Sequence, residues 1–180
     1  MAETTIITKA DIQVLWSNLD KNFTEAKLSP YILRSQQTEL KTLLGDSLYY
    51  DFVSNITIQK YIDLLDGVEY SYQGNTIFFG GVKPYLAALS FGRIISNINV
   101  SVGTASVTDK ATEQSTPHDN AIIQTRGREA KSEALRLQSE LLQFLDEKRS
   151  TYPLFQSRES SEQDHDTSMK ITSVPRHRQR

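Results

Sequence analysis

The sequence predicts a mainly α-helical fold: a bundle of short helices plus one long C-terminal helix, with one or two small β-hairpins and a disordered C-terminal tail. Three observations point there. Apolar residues recur at three- and four-residue steps through most of the chain, the spacing that one buried helix face needs. The period falls to two only around residues 70–79 and 100–108. Beyond Phe155 apolar side chains almost vanish. The division expected is therefore a helical domain over residues 1–155 and a flexible arm over 156–180.

Thr8 is the expected N-cap of a first helix, with Asp11 three residues on and Ile12, Leu15, Trp16 and Leu19 at helical spacing. A second start is read at Ser29, with Pro30 at the first helical position, where its missing N–H costs nothing, ahead of Ile32, Leu33, Leu40, Leu43 and Leu44. Gly45 ends that stripe. Asp46 is read as a new cap for a short helix burying Leu48, Tyr49, Phe52 and Val53, and Thr57 as the opening of another that ends before Gly67.

Around a two-residue turn at Gly74 and Asn75, a hairpin places Tyr70, Tyr72, Ile77 and Phe79 on one face. Four large side chains there need a surface to pack on. The helix starting near Lys83 and Pro84 is apolar around most of its girth and carries the small residues Ala87, Ala88, Ser90 and Gly92, so it is the expected central helix. Residues 100–116 are rich in Ser, Thr and Val and read as a second, projecting ribbon. Thr116 and Pro117 then open the longest periodic segment, which runs to Arg149. At 1.5 Å per residue that helix is about 50 Å long, against a radius of gyration of about 15 Å for a domain of this size. It must kink near Gly127 or overhang.

Composition narrows the function. With 20 Lys+Arg against 22 Asp+Glu the net charge is −2, which gives no global reason to bind nucleic acid or an anionic membrane. There is no cysteine, so thiolate catalysis, disulfides and Cys-based zinc sites are excluded. Residues 1–9 lack the basic and apolar regions of a signal peptide, and no run of eighteen or so apolar residues offers a membrane span. The chain is read as made in the cytoplasm. Of three histidines, two fall in the tail; the third, His118, stands in Ser115-Thr116-Pro117-His118-Asp119, where neighbours in sequence at a helix start explain themselves better as cap residues than as a triad. Asp63, Asp66, Gly67 and Glu69 miss the ligand spacing of a calcium loop. Arg126, Arg128, Lys131 and Arg136 do not form one tight stripe, and Glu129, Glu133 and Glu140 alternate with them, as on a solvated helix face. No catalytic residue, cofactor or metal site is expected, and the chain is read as a non-enzymatic assembly protein.

The order of Leu43-Leu44-Gly45-Asp46-Ser47-Leu48-Tyr49, the hairpin, the run from Gly80-Gly81-Val82-Lys83-Pro84-Tyr85-Leu86 through Gly92-Arg93, and Val107-Thr108-Asp109-Lys110 before Ser115-Thr116-Pro117 resembles the head-tail connector, or neck adaptor, proteins of tailed bacteriophages. The similarity is strongest to ring proteins of crAss-like and other Bacteroides-type phages, and it covers residues 7–155. It implies a virion protein of the neck: a closed ring of about twelve copies beneath the portal, carrying the next neck or tail protein, with DNA only passing through its channel and no membrane partner. It also implies that the C-terminal arm reaches the portal.

Two sets of residues are assigned on this reading. Met169, Ile171 and Val174 are the apolar anchors of the arm, with Lys170, Arg176, Arg178 and Arg180 as its charged contacts to the portal. Val100, Val102 and Val107 of the ribbon and Arg126 and Arg128 of the long helix are assigned to the interface between copies. A helical scaffold outside the virion shares all these features. A nucleic-acid-binding protein using the basic end is disfavoured by the acidic run at Glu159, Glu162, Asp164 and Asp166 before it.

Overall fold

The computed structural model describes residues 4–17, 23–97, 100–102, 107–109 and 120–156, with side chains left out of the account at 100–102, 107–109 and 120–123. The architecture is mainly helical, with one long C-terminal helix and two separate two-stranded antiparallel hairpins.

Helix α1, Lys9–Leu15, starts where the sequence places it. The Asp11 carboxylate accepts the Thr8 N–H at 2.7 Å and the Thr8 hydroxyl at 2.9 Å, which fixes the first turn. Ile12 is fully buried, and Trp16 stacks on Phe91 with ring centroids 4.4 Å apart. Leu19 lies outside the described residues.

Helix α2, Glu25–Ser35, begins earlier than Pro30 implies. Thr24, not Ser29, occupies the N-cap, and its carbonyl accepts from Lys27 and Leu28. Pro30 lies inside the helix, where it removes one amide donor in the second turn. Burial accounts for the longer start: Leu28 precedes the proline and is fully enclosed, on the same stripe as Ile32. A π-helical turn, Gln36–Leu40, and helix α3, Lys41–Leu44, continue the rod. Within it the Thr38 and Thr42 hydroxyls donate to carbonyls four residues back, at 2.7 and 2.5 Å.

The π-turn puts the Gln36 side chain in the core with no exposed surface. Its Oε1 accepts the Ile6 N–H at 3.0 Å, and its Nε2 donates to the Thr4 carbonyl at 3.3 Å and to the Tyr49 hydroxyl at 3.2 Å. A buried amide with three partners offsets its own desolvation.

Gly45, at φ +77°, turns the chain and is itself the N-cap of α4, Asp46–Ser54; its carbonyl accepts the Tyr49 N–H at 3.0 Å. Asp46 is therefore the first helical residue rather than the cap, 3.5 Å from the Lys41 ammonium. Helix α5, Gln59–Asp66, is capped by Ile58 rather than Thr57.

Strands β1, Val68–Tyr72, and β2, Asn75–Phe79, form the first hairpin. The register pairs Tyr72 with Asn75 and Tyr70 with Ile77, so the turn is Gln73-Gly74, both at positive φ, and not Gly74-Asn75. The correction slides the pairing by two residues, and the same four side chains still share a face. That face lies on the long C-terminal helix: Phe79 stacks on Phe144 at 4.2 Å and Tyr70 meets it edge-on at 5.2 Å.

Helix α6, Val82–Asn97, starts one residue before Lys83, leaving Pro84 at its third position, where no intrahelical donor is lost. Eight of its sixteen residues are buried, and it packs against α1, α2, α5 and the long C-terminal helix. It is the central helix the sequence indicates; Ile98 lies outside the described residues. A short ribbon follows, β3, Val100–Val102, with β4, Val107–Asp109.

Helix α7, Asn120–Glu147, runs unbroken through Gly127 for 28 residues, or about 42 Å. Thr116 to Asp119 and the cap assigned to them lie outside the described residues. Ala130, Ala134, Leu137, Leu141, Phe144 and Leu145 are its buried stripe. Tyr152 donates from its hydroxyl to the Lys60 carbonyl at 2.5 Å, and Phe155 is buried with it.

Burial pushes up the phenols of Tyr61, Tyr70, Tyr85 and Tyr152, Tyr85 to about 12. The folded state then keeps protons that the unfolded chain releases near pH ~10, so the contribution is complete below that pH and is lost as pH rises through the folded values. The melting temperature is expected to fall above about pH 10, and to fall less steeply in Tyr85→Phe. Thermal scans of both proteins from neutral to alkaline pH check this; identical slopes would sink it.

Candidate assembly surface

The first described side chains of α7 stand clear of the core. Gln124, Thr125, Arg128 and Glu129 are exposed, Arg126 and Gly127 half-buried, and burial begins only at Ala130. The overhang that helix length requires is thus at the N-terminal end. The ribbon is close in sequence to this end. Its register pairs Val102 with Val107 and Val100 with Asp109. A two-stranded ribbon of three-residue strands is marginal by itself.

Charge on α7 is divided. The Arg136 guanidinium is bound by Glu133 at 2.7 Å and by Glu140, and it holds the Glu133 carboxyl below its ordinary value, chiefly through that hydrogen bond. Among the described residues Arg126, Arg128 and Lys131 have no anionic partner. The four cations that alternate with glutamates in the sequence are therefore three free charges and one that is neutralised locally.

Between α6 and α7 runs a groove of about 410 Å³. Ala88, Gly92, Gly127 and Ala130 line it, and a Cβ built on Gly92 would meet that of Ala130 at 3.5 Å. Lys131 stands on one side and the Arg93–Glu39 pair on the other, where Arg93 also donates to the Thr38 hydroxyl at 2.9 Å. A second hollow of about 440 Å³ lies where Leu15 and Trp16 of the α1 end face Glu129, Ser132 and Glu133. Val14 beside it is 84% exposed. Phe78, on the outer face of the first hairpin, and Leu135, on the outer face of α7, are the other large apolar groups most open to solvent. Sequence patterning had no means of finding the groove, because its small residues come from two helices distant in sequence.

The remaining assignments separate cleanly. Asp66 binds Lys83 at 2.5 Å, with Asp11 3.8 Å from the same ammonium, so the acidic cluster at the end of α5 is an ion-pair knot joining α1, α5 and α6. Asp63 accepts from Gln59 at 2.6 Å. Among the described residues no group of His, Asp and Glu is placed to hold a metal, and no helix is long and apolar enough to cross a membrane. His118 and its neighbours, and the arm residues Met169, Lys170, Ile171, Val174, Arg176, Arg178 and Arg180, lie outside the described residues.

Residues 40–165 match the model of a family described as Family of unknown function (DUF6712). No curated protein and no solved structure matches the chain.

Proposed function

We propose that this chain, which belongs to the DUF6712 family, is a non-catalytic virion protein that forms a ring in the neck of a tailed bacteriophage and joins the portal of the head to the tail. The observation that carries the reading is the unsupported end of α7: six consecutive described residues, 124–129, without one buried side chain, close in sequence to a ribbon too small to stand alone. Such parts acquire their buried surface from another molecule. A head-to-tail contact that repeats around a closed ring uses two different surfaces per copy, and the overhang and the body supply them. The likeness of residues 7–155 to neck adaptors gives the ring its place. The arm carrying Met169, Lys170, Ile171, Val174, Arg176, Arg178 and Arg180 then docks on the portal, and its apolar anchors are buried only there.

The test is electron microscopy and mass measurement of the protein alone and mixed with a candidate portal. Val102→Glu and Val107→Glu are expected to leave the melting temperature of the monomer nearly unchanged and to abolish rings. Removing residues 157–180 is expected to keep the fold and weaken portal binding more than about tenfold. If the valine variants unfold the monomer, the ribbon is core and the interface assignment fails. Equal portal binding by the shortened chain removes the docking role of the arm.

A further inference from the structure

Lys131 lines the groove between α6 and α7 and has no anionic partner among the described residues, and the chain holds an acidic run long enough to reach it. Lys131 lines the groove and Arg126 and Arg128 stand on the adjoining turns, with only Glu129 against them over residues 124–131. Residues 157–166 have the opposite balance, Glu159, Glu162, Asp164 and Asp166 against Arg158.

Reach is adequate. Tyr152 is fixed against Phe144, their rings 5.9 Å apart. From Phe144 back to Lys131 is about 20 Å along the helix at 1.5 Å per residue, and the stretch from Gln156 to Asp166 extends to about 33 Å. The lining residues Gly92 and Gly127 are half-buried and carry no side chain, so they put none in the way of a segment lying along the groove. The family match runs past Phe155 to residue 165 and so spans Glu159, Glu162 and Asp164.

We propose that the segment 157–166 folds back on its own chain and lies in the α6–α7 groove, with Asp164 and Asp166 against Lys131 and Arg128. The contact is electrostatic and exposed, so it is weak, salt-sensitive and reversible. It does not depend on the ring reading: a protein of any function with this groove and this segment would make it. If rings do form, the segment occupies the cationic surface assigned to the neighbouring copy and must leave before that copy arrives.

The cysteine-free sequence makes the test clean, because Ser161→Cys gives the full-length protein one site for a nitroxide. Amide resonances of Gly92, Gly127 and Lys131 are expected to broaden selectively. Lys131→Glu should shift the docked-to-free ratio about threefold or more toward free, and combining it with Asp164→Lys should restore the broadening. Lys131 is exposed, so the fold should survive; Arg128→Glu is the second variant if it does not. Absence of selective broadening overturns the proposal, as does broadening that ignores the charge reversals. Mixing isotope-labelled protein without nitroxide and nitroxide-bearing protein without isotope tests for a neighbour as the source: broadening of equal size there would also overturn it.

Discussion

Replacing Phe144 by alanine is expected to lower the unfolding free energy by about 3–5 kcal/mol, the range for removing a large aromatic side chain from a packed core. Phe144 is 1% exposed and is the point where three otherwise separate parts of the chain meet. Phe79 stacks on it at 4.2 Å with the rings 11° from parallel, Tyr70 presents its edge at 5.2 Å, and Tyr152 leans on it at 5.9 Å. Each aromatic contact adds about 0.5–1.5 kcal/mol to simple area burial. The first hairpin has only two strands and cannot stand alone, so its hold on α7 is also what keeps it formed. Denaturant unfolding followed by circular dichroism measures the loss, and amide exchange in β1 and β2 should rise with it. A loss below about 1 kcal/mol would mean that the hairpin is held elsewhere.

Gly81→Ala is expected to cost more than about 2 kcal/mol, by a different mechanism. Gly81 adopts φ +84°, which alone penalises a side chain by about 1–2 kcal/mol. A Cβ there would also run into the Leu65 carbonyl oxygen and the backbone of Asp66 and Gly67. These are backbone atoms at the end of α5 and cannot turn aside as a side chain would. Gly74, at φ +80°, has open space around it, so Gly74→Ala isolates the conformational cost. The difference in denaturation midpoint between the two variants reports the steric part. Equal losses would show that the close approach of the two glycine segments adds nothing to stability.

What the sequence made legible follows from which physical signals are local. The face of the first hairpin was readable because strand alternation survives a two-residue slip; its turn was not, since Gln73 at φ 49° is not a residue type that announces a turn. Pro30 gave a false start to α2 because a proline signal is strong and the burial of Leu28 upstream of it is tertiary. Gly45 reads as a stop but also serves the next helix as cap, a double use that a single-residue preference does not reveal. The length of α7 implies a kink or an overhang; the helix runs unbroken, and burial locates the overhang at 124–129. The groove depends on Gly92 meeting Ala130, a pairing with no trace in either helix alone.

The buried amide of Gln36 has a consequence for how the beginning of the described chain is aligned. By accepting from Ile6 and donating to Thr4 it holds that irregular segment's backbone at two points through one side chain. Ile7 follows at once and has no exposed surface, while Ile6 is only half-buried. Shifting the segment by one residue would bring the wrong backbone groups to the amide and lift Ile7 out of the core together. One glutamine thus works as an index mark, setting the phase with which the chain enters the helical body before the first turn of α1 is made.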